Sequence, residues 1–351
     1  GLALVISEFV PLPASLITMI MNVGLLIIGF LLGLVFAVGG IVMQEMLDVT
    51  IRKDEDLTLV CKYPVLAPVP DMNAPSKGGS YYGYGVKRTQ KKRGGNYATA
   101  KSGRQQQSIM GGQLNFAASE AYKLLRTKLQ FSFSDDNDCH VIGISSALSG
   151  EGKSLTAVNL AFTLSQLDKR VLLIDCDMRR PTLAEKLGIL KAPGLSNYLT
   201  RQCSLEDLIQ MCGLKGNEKA FHVISAGQNP PNPIELLSSE RMKKALSTLR
   251  QTYDYVILDL PPVGEVSDAM AVANDTDGIL LVVRQNYCDR ISLSEAVRQF
   301  DFIHSKILGV VFNCASEHSG NYGKGYYKRY NRPYYNRYYN RYDAHSSKAA
   351  K

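Results

Sequence analysis

From residue 9 to residue 44 the chain has no charged side chain, and residues 16–42 are almost entirely Leu, Ile, Val, Met, Phe and Gly. A core helix of that composition would need partners covering apolar surface on every side. At 1.5 Å per helical residue the run exceeds the roughly 20 residues that cross a bilayer, so a transmembrane helix is predicted over 16–43. The length of the run and the absence of a basic stretch before it exclude a cleaved signal peptide. Residues 1–15 contain neither Lys nor Arg, whereas Arg52, Lys53 and a strongly basic segment follow the run. Everything after about Gln44 is therefore expected on the cytoplasmic side of the cell (inner or plasma) membrane. No CxxC pair occurs among the seven cysteines, Cys61, Cys139, Cys176, Cys203, Cys212, Cys288 and Cys314, as suits scattered thiols in a reducing compartment. The first residue is Gly rather than Met and residues 2–10 read as an extended strand, so residues 1–15 are expected to end an extracytoplasmic part of a longer protein.

Acids are scarce in two stretches. Residues 71–116 and residues 320–351 each hold eight Lys/Arg against one acid, so with a formal net charge of +8 the rest of the chain is acidic. Basicity confined to these stretches points away from a folded domain clamping nucleic acid, and nucleic acid is not expected as a partner. Residues 71–112 are poor in aliphatics and cannot bury enough apolar surface to offset their ordering entropy. Residues 44–116 are accordingly read as a cytoplasmic juxtamembrane linker. Its basic run 87–93 either touches anionic lipid, at about 1 kcal/mol per charge, or stays a solvated tether. Residues 317–351 lack aliphatics and read as a disordered tyrosine-rich tail.

Between residues 117 and 316 the pattern changes. Apolar runs at 140–145, 170–174, 222–224, 255–260, 278–283 and 307–312 alternate with helical periodicity at 154–166, 234–251 and 292–300. Such alternation predicts an α/β domain with a mostly parallel sheet and helices on both faces.

Four features carry chemistry. Residues 147–154, Ala-Leu-Ser-Gly-Glu-Gly-Lys-Ser, lie between a strand and an amphipathic helix, the setting of a phosphate-binding loop. Gly150 and Gly152 let successive N–H groups face phosphate oxygens at the positive end of the helix dipole. Residues Ser149, Gly150, Glu151, Gly152, Lys153, Ser154 and Leu155 are thus expected to bind ATP, with Lys153 on the β and γ phosphates and Ser154 on Mg²⁺. The usual first Gly of such loops is Ala147 here. Second, Asp175 and Asp177 stand two residues apart at a strand's carboxyl end and project the same way, one suited to Mg²⁺ and the other to a proton. Third, the strand 255–260 ends in Asp259, a metal-supporting acid in P-loop enzymes, before Pro261 and Pro262 stop it. Fourth, nine of nineteen tyrosines fall in the tail: Tyr322, Tyr326, Tyr327, Tyr330, Tyr334, Tyr335, Tyr338, Tyr339 and Tyr342. A tail without aliphatics cannot use phenols for packing, so they read as phosphate acceptors or, interleaved with Arg, as a stacking strip for single-stranded nucleic acid.

This constellation resembles the bacterial tyrosine kinases that regulate capsule and exopolysaccharide synthesis, P-loop proteins unrelated in fold to eukaryotic kinases. The likeness runs from Leu2 to the C-terminus. It takes in Pro11 and Pro13 before the membrane helix, the Gly-Glu-Gly-Lys-Ser loop, the Asp175-x-Asp177-x-Arg179 strand end, the Asp259 strand and the terminal tyrosines. The resemblance implies that Glu120, Lys123 and Arg126 form a subunit contact, with Lys123 replacing an Arg and unable to make its bidentate pair. It also implies that Asn313 lies on the adenine side and that residues 1–15 end an extracytoplasmic chain-length domain. Ring-like homo-oligomers, a tyrosine phosphatase and polysaccharide polymerase and export proteins are the implied partners.

The expected activity is Mg·ATP-dependent transfer to tyrosine hydroxyls. Lys153 would cradle the phosphates; Ser154, Asp177 and Asp259 would support Mg²⁺; and Asp175 would serve as base. Tail phosphorylation would run between neighbouring subunits, where tethering gives high effective concentration. About four phosphates, at roughly −1.5 to −2 each, would cancel the tail's charge. Lys153→Met is expected to abolish phosphotyrosine with the fold intact. The rival readings are a MinD/ParA-type ATPase, which would carry Lys where Leu148 stands, and a chain-length regulator that binds ATP as a switch without kinase activity.

Overall fold

The computed structural model describes residues 14–72, 114, 116–133, 138–213 and 220–316. The N-terminal strand (2–10), the basic run (87–93) and the tyrosine tail lie outside them. The chain divides into two compact units, residues 1–49 and residues 50–351.

Within the first unit, α1 (Ala14–Leu47) is a single 34-residue helix. Its segment Asn22–Leu47 has a mean hydropathy of 2.8 and is long and apolar enough to cross a membrane. From Val23 to Leu47 its Leu, Ile, Phe and Val side chains are exposed around the whole circumference, as on a surface that lipid would cover.

The second unit contains an eight-stranded sheet in the order β1-β8-β7-β2-β6-β3-β5-β4. Its strands are β1 (Val65–Pro70), β2 (His140–Ser146), β3 (Val171–Asp175), β4 (Gln210–Gly213), β5 (Ala220–Ile224), β6 (Tyr255–Asp259), β7 (Gly278–Arg284) and β8 (Ile307–Ala315). All pairings are parallel except β4 with β5. The central strands are buried along their full length, which is why they read as continuous apolar runs rather than alternating ones. Alternation survives as a division between two cores. On β3, Leu172 and Ile174 enter one core and Val171 and Leu173 the other; on β6, Val256 and Leu258 are separated from Tyr255 and Ile257 in the same way.

The first core is closed by α2 (Asp54–Val60), α8 (Glu240–Thr252), α9 (Asp268–Ala273) and α10 (Arg290–Phe302), through Leu57, Leu246, Leu249, Val272, Leu293 and Phe300. The second is closed by α3 (Phe116–Gln130), α4 (Lys153–Ser165) and α5 (Leu183–Leu187), through Leu125, Leu160 and Leu183. The remaining helices are α6 (Leu195–Leu199) and α7 (Pro233–Leu237).

Three features depart from the sequence-based expectation. The helix expected over 234–251 is two, α7 and α8, because Ser239 takes an N-cap conformation and its hydroxyl accepts the Met242 N–H at 3.2 Å. The segment 44–116 is not all linker: α2 and β1 lie within it, and β1 pairs with β8 as the outermost strand. Pro68 and Pro70 in the sequence Val-Leu-Ala-Pro-Val-Pro mask that strand, yet Pro is tolerated where a strand has only one neighbour. Finally, β4 is a four-residue antiparallel edge too short to show a pattern.

The order β2-β6-β3 fixes where chemistry can occur. β6 lies between β2, which leads into the 147–154 loop, and β3, which ends in Asp175. The register places Ile144 opposite Asp259 on one side and Asp175 opposite Asp259 on the other. Three segments far apart in sequence thus converge at the carboxyl ends of the strands, where open α/β sheets bind ligands.

Candidate active site

The loop from Ala147 to Gly152 runs from the end of β2 into α4. Gly150 (φ 85°) and Gly152 (φ 97°) occupy the left-handed region, and a Cβ on Gly152 would collide with Asn313 Nδ2. Glu151, fully buried, holds the loop's shape: one carboxylate oxygen accepts the Leu148 N–H (2.7 Å) and the other the Arg284 N–H (3.2 Å). Burial pushes its carboxyl pKa up. The Glu151 side chain therefore ties the loop to β7. Outside clamps complete the frame. Ser149 N–H donates to Glu265 (2.6 Å), the Tyr287 hydroxyl donates to Ser149 C=O (2.9 Å), and Arg284 donates to Gly150 C=O (3.2 Å).

At the start of α4, Lys153 sits between carboxylates. Its Nζ is 2.8 Å from Asp177 Oδ2 and 3.6 Å from Asp259 Oδ1. Burial alone would lower its pKa; Asp259 and then Asp177 more than offset this, and the net shift is upward. Asp175 is buried and accepts the N–H groups of Asp177 (3.1 Å) and Leu183 (3.2 Å), which fastens the turn that follows β3. Its carboxyl is pushed up to about 8, first by burial and then by the charge of Asp259. Asp177 in turn accepts the Arg180 N–H at 3.0 Å.

Asp259 is fully buried, and neither carboxylate oxygen has a partner at hydrogen-bond geometry among the described residues. Burial raises its pKa, and Lys153 and Ser154 draw it back down. Two unsatisfied anionic oxygens next to the Ser154 hydroxyl at the head of α4 fit a small, hard cation. Among the described residues no group of three or more His, Cys, Asp or Glu is disposed as a metal cluster. The donor set instead suits Mg²⁺, which takes one or two carboxylates and completes its shell with water and phosphate oxygens.

The expected site residues of the loop and the three aspartates therefore come together. Asn313, on β8, meets the loop: its Nδ2 donates to Glu151 C=O (2.8 Å) and its Oδ1 accepts the Cys314 N–H (2.9 Å). On α3, Lys123 pairs with Glu120 within the helix (2.7 Å), while Arg126 turns inward to the Thr163 carbonyl of α4 (2.8 Å). Arg126 thus contributes to packing within the chain. The tail tyrosines lie outside the described residues.

Sequence reasoning named Arg179 within its motif but missed its partner, and it missed several other groups. Arg179 makes a bidentate pair with the buried Asp268 of α9 (2.6 and 2.9 Å) and so fastens the post-β3 turn to the post-β6 turn. Thr182 approaches Ser154, and Lys186 approaches Thr182. Glu265, Arg284 and Tyr287 grip the loop from segments with no motif of their own, so only the fold could reveal them.

Residues 139–308 match the family model described as an AAA domain. The chain is similar to the tyrosine-protein kinase YwqD of Bacillus subtilis, with 39% identity over 209 residues, covering 58% of this chain and 86% of that one. It is also similar to the tyrosine-protein kinase CpsD of Streptococcus agalactiae serotype Ia, with 35% identity over 208 residues, 58% of this chain and 85% of that one. Among solved structures, the kinase domain of the Escherichia coli tyrosine kinase ETK superposes with a TM-score of 0.57 at 28% identity, covering 74% of this chain and 93% of that one.

Proposed function

The chain belongs to the tyrosine-protein kinase family, and we propose that it is a membrane-anchored kinase that transfers the γ-phosphoryl group of Mg·ATP to tyrosine hydroxyls, those of its own tail included. The observation that carries this reading is the convergence of Lys153, Asp175, Asp177 and the unsatisfied Asp259 at one loop-to-helix junction. The loop amides and Lys153 would hold the triphosphate. Ser154, Asp177 and Asp259 would hold Mg²⁺, which neutralises charge on the β and γ phosphates. In the transfer, a phenol oxygen bonds to the γ phosphorus as the bond to the bridging oxygen breaks, and that electron pair leaves with ADP. Asp175 would receive the phenolic proton; its carboxyl pKa of about 8 lies near the range in which a base both accepts and releases a proton.

The tail (residues 317–351) supplies nine tyrosines and would reach a neighbouring subunit of a homo-oligomer, with Glu120 and Lys123 of α3 at the contact. The apolar helix supports anchoring in the cell membrane, and the resemblance to the capsule and exopolysaccharide kinases supports a place beside polysaccharide polymerisation and export proteins at its cytoplasmic face, with a tyrosine phosphatase opposing the kinase. Two observations weigh against a MinD/ParA-type ATPase: Leu148 stands where such a protein carries Lys, and the tail is rich in tyrosine. The test is incubation of the full chain and of a tail-deleted chain with γ-labelled ATP, followed by phosphoamino-acid analysis. Phosphotyrosine in the full chain that is lost with the tail supports the reading. ATP hydrolysis without phosphotyrosine would assign the protein to the switching ATPases.

A further inference from the structure

Lys186 is a half-buried lysine on α5 that none of the recognised motifs includes. Its ammonium donates to Thr182 Oγ1 at 2.9 Å, and Thr182 Oγ1 donates to Ser154 Oγ at 3.4 Å. The amine therefore stands two hydrogen-bond lengths from the hydroxyl that heads α4. Among the described residues it has no carboxylate at ion-pair distance, so two of its three N–H donors have no assigned acceptor. A partly desolvated ammonium with donors to spare is stabilised by an anion that completes its shell. Burial indeed pushes its pKa down, and the strongest opposing influence is Asp259, followed among the carboxylates by Asp175 and Asp177. Lys186 thus senses the same three carboxylates as Lys153.

The direction in which the amine points identifies the missing anion. In a phosphate loop the Ser hydroxyl at the helix start faces the metal, and the metal bridges the β and γ oxygens of the nucleotide. A cation joined to that hydroxyl through Thr182 lies on the metal and γ side. We propose that Lys186 is a second phosphate-binding cation of this site, donating to the γ-phosphoryl oxygens while Lys153 holds the β–γ bridge. The role rests on the nucleotide reading above. It supplies in cis a positive charge where negative charge is greatest on the transferred group, and it makes the site prefer a triphosphate to a diphosphate.

The test uses the full chain and measures binding of ADP and of a non-hydrolysable ATP analogue, each with Mg²⁺, to the wild type, Lys186→Met, Lys186→Gln and Lys186→Arg. Gln keeps a donor for Thr182 without the charge and carries the test if Met prevents folding. Loss of one charge-assisted contact lowers affinity for the ATP analogue about tenfold or more in the Gln and Met variants. ADP affinity stays within about twofold, and Arg keeps most of the preference. Equal weakening for both nucleotides, or an unchanged preference in Lys186→Gln, would overturn the assignment. Phosphotyrosine formation is scored in parallel. A wild type that makes none but shows a Lys186-dependent preference for the triphosphate removes the kinase reading and keeps Lys186. Phosphotyrosine together with an unchanged preference does the reverse.

Discussion

Asp175 and Asp259 stand directly opposite each other in the parallel register of β3 and β6, each the last residue of its strand and each buried. Burial first, and then the charge of the facing Asp259, hold the Asp175 carboxyl at about 8 against an ordinary value of 3.8. A raised carboxyl means that between about pH 4 and pH 8 the folded protein binds a proton the unfolded chain releases. Its contribution to stability is therefore present in full below this window and is lost as pH rises through it. Without nucleotide, wild-type stability relative to Asp175→Asn should fall with pH at up to about 1.4 kcal/mol per unit. Any packing or hydrogen-bond effect of Asn itself offsets the two curves without changing their difference in slope. Thermal melts of both proteins from pH 4.5 to 8.5 check this, and parallel curves would refute it.

Lys153→Met should abolish phosphotyrosine, but the fold will not be indifferent to it. Lys153 lies 2.8 Å from Asp177 and 3.6 Å from Asp259, and its removal takes from these buried carboxylates the one cation at ion-pair distance among the described residues. Breaking a buried pair on one side costs about 3–5 kcal/mol, partly recovered here because the aspartates can take up protons. The variant should thus melt below the wild type at pH 8 and approach it at pH 5.5. A pH-independent difference would show that the aspartates do not share Lys153.

Arg179 and Asp268 tie the two turns that border the cleft. Asp268 is buried and receives both guanidinium bonds, so Arg179→Ala strands a carboxylate while Arg179→Lys retains charge but not the fork. Because the Arg side chain is 45% exposed, the lower range for charged hydrogen bonds applies, about 1.5–3 kcal/mol for Ala. In urea denaturation a double-mutant cycle with Asp268→Ala should return a coupling above about 0.5 kcal/mol. Additive losses would mean that the two turns are held independently.

The sequence exposed the chemistry better than the boundaries. Lys153, Ser154 and the three aspartates are legible because each sits at a strand or helix end marked by an apolar run, Gly or Pro, and such local signals survive without tertiary context. That Asp259 completes the site depends on β6 lying between β2 and β3, which no local pattern encodes. Glu265, Tyr287 and Lys186 act through single contacts from turns or short helices and leave no periodic trace. Arg126 shows the opposite case: a motif position reads as outward-facing, but a side chain long enough to reach Thr163 turns inward. The edge strand β1 was hidden by the two prolines that its edge position permits.

That edge strand leads to a test of where the folded unit begins. Leu66, Ala67 and Val69 of β1 are buried, Val310 N–H donates to Pro64 C=O at 2.9 Å, and Gly309 leaves the space that Leu66 fills. A fragment of residues 117–316, the domain as composition delimits it, lacks all of this and exposes the β8 edge as a template for intermolecular pairing. Burial of a Leu or Val side chain contributes about 1.5–3 kcal/mol, so loss of Leu66 and Val69 alone removes about 3–6 kcal/mol, a large part of a typical domain's stability. A fragment of residues 50–316 should accordingly unfold cooperatively and remain soluble. The 117–316 fragment should aggregate or show a urea midpoint at least about 1 M lower, given a slope of about 1–3 kcal/mol per molar. Equal midpoints and equal solubility would mean that β1 merely leans on the sheet. A lower midpoint restored by adding residues 50–72 in trans would establish it as an integral strand, because only a strand that pairs with β8 can rescue the edge from outside the chain.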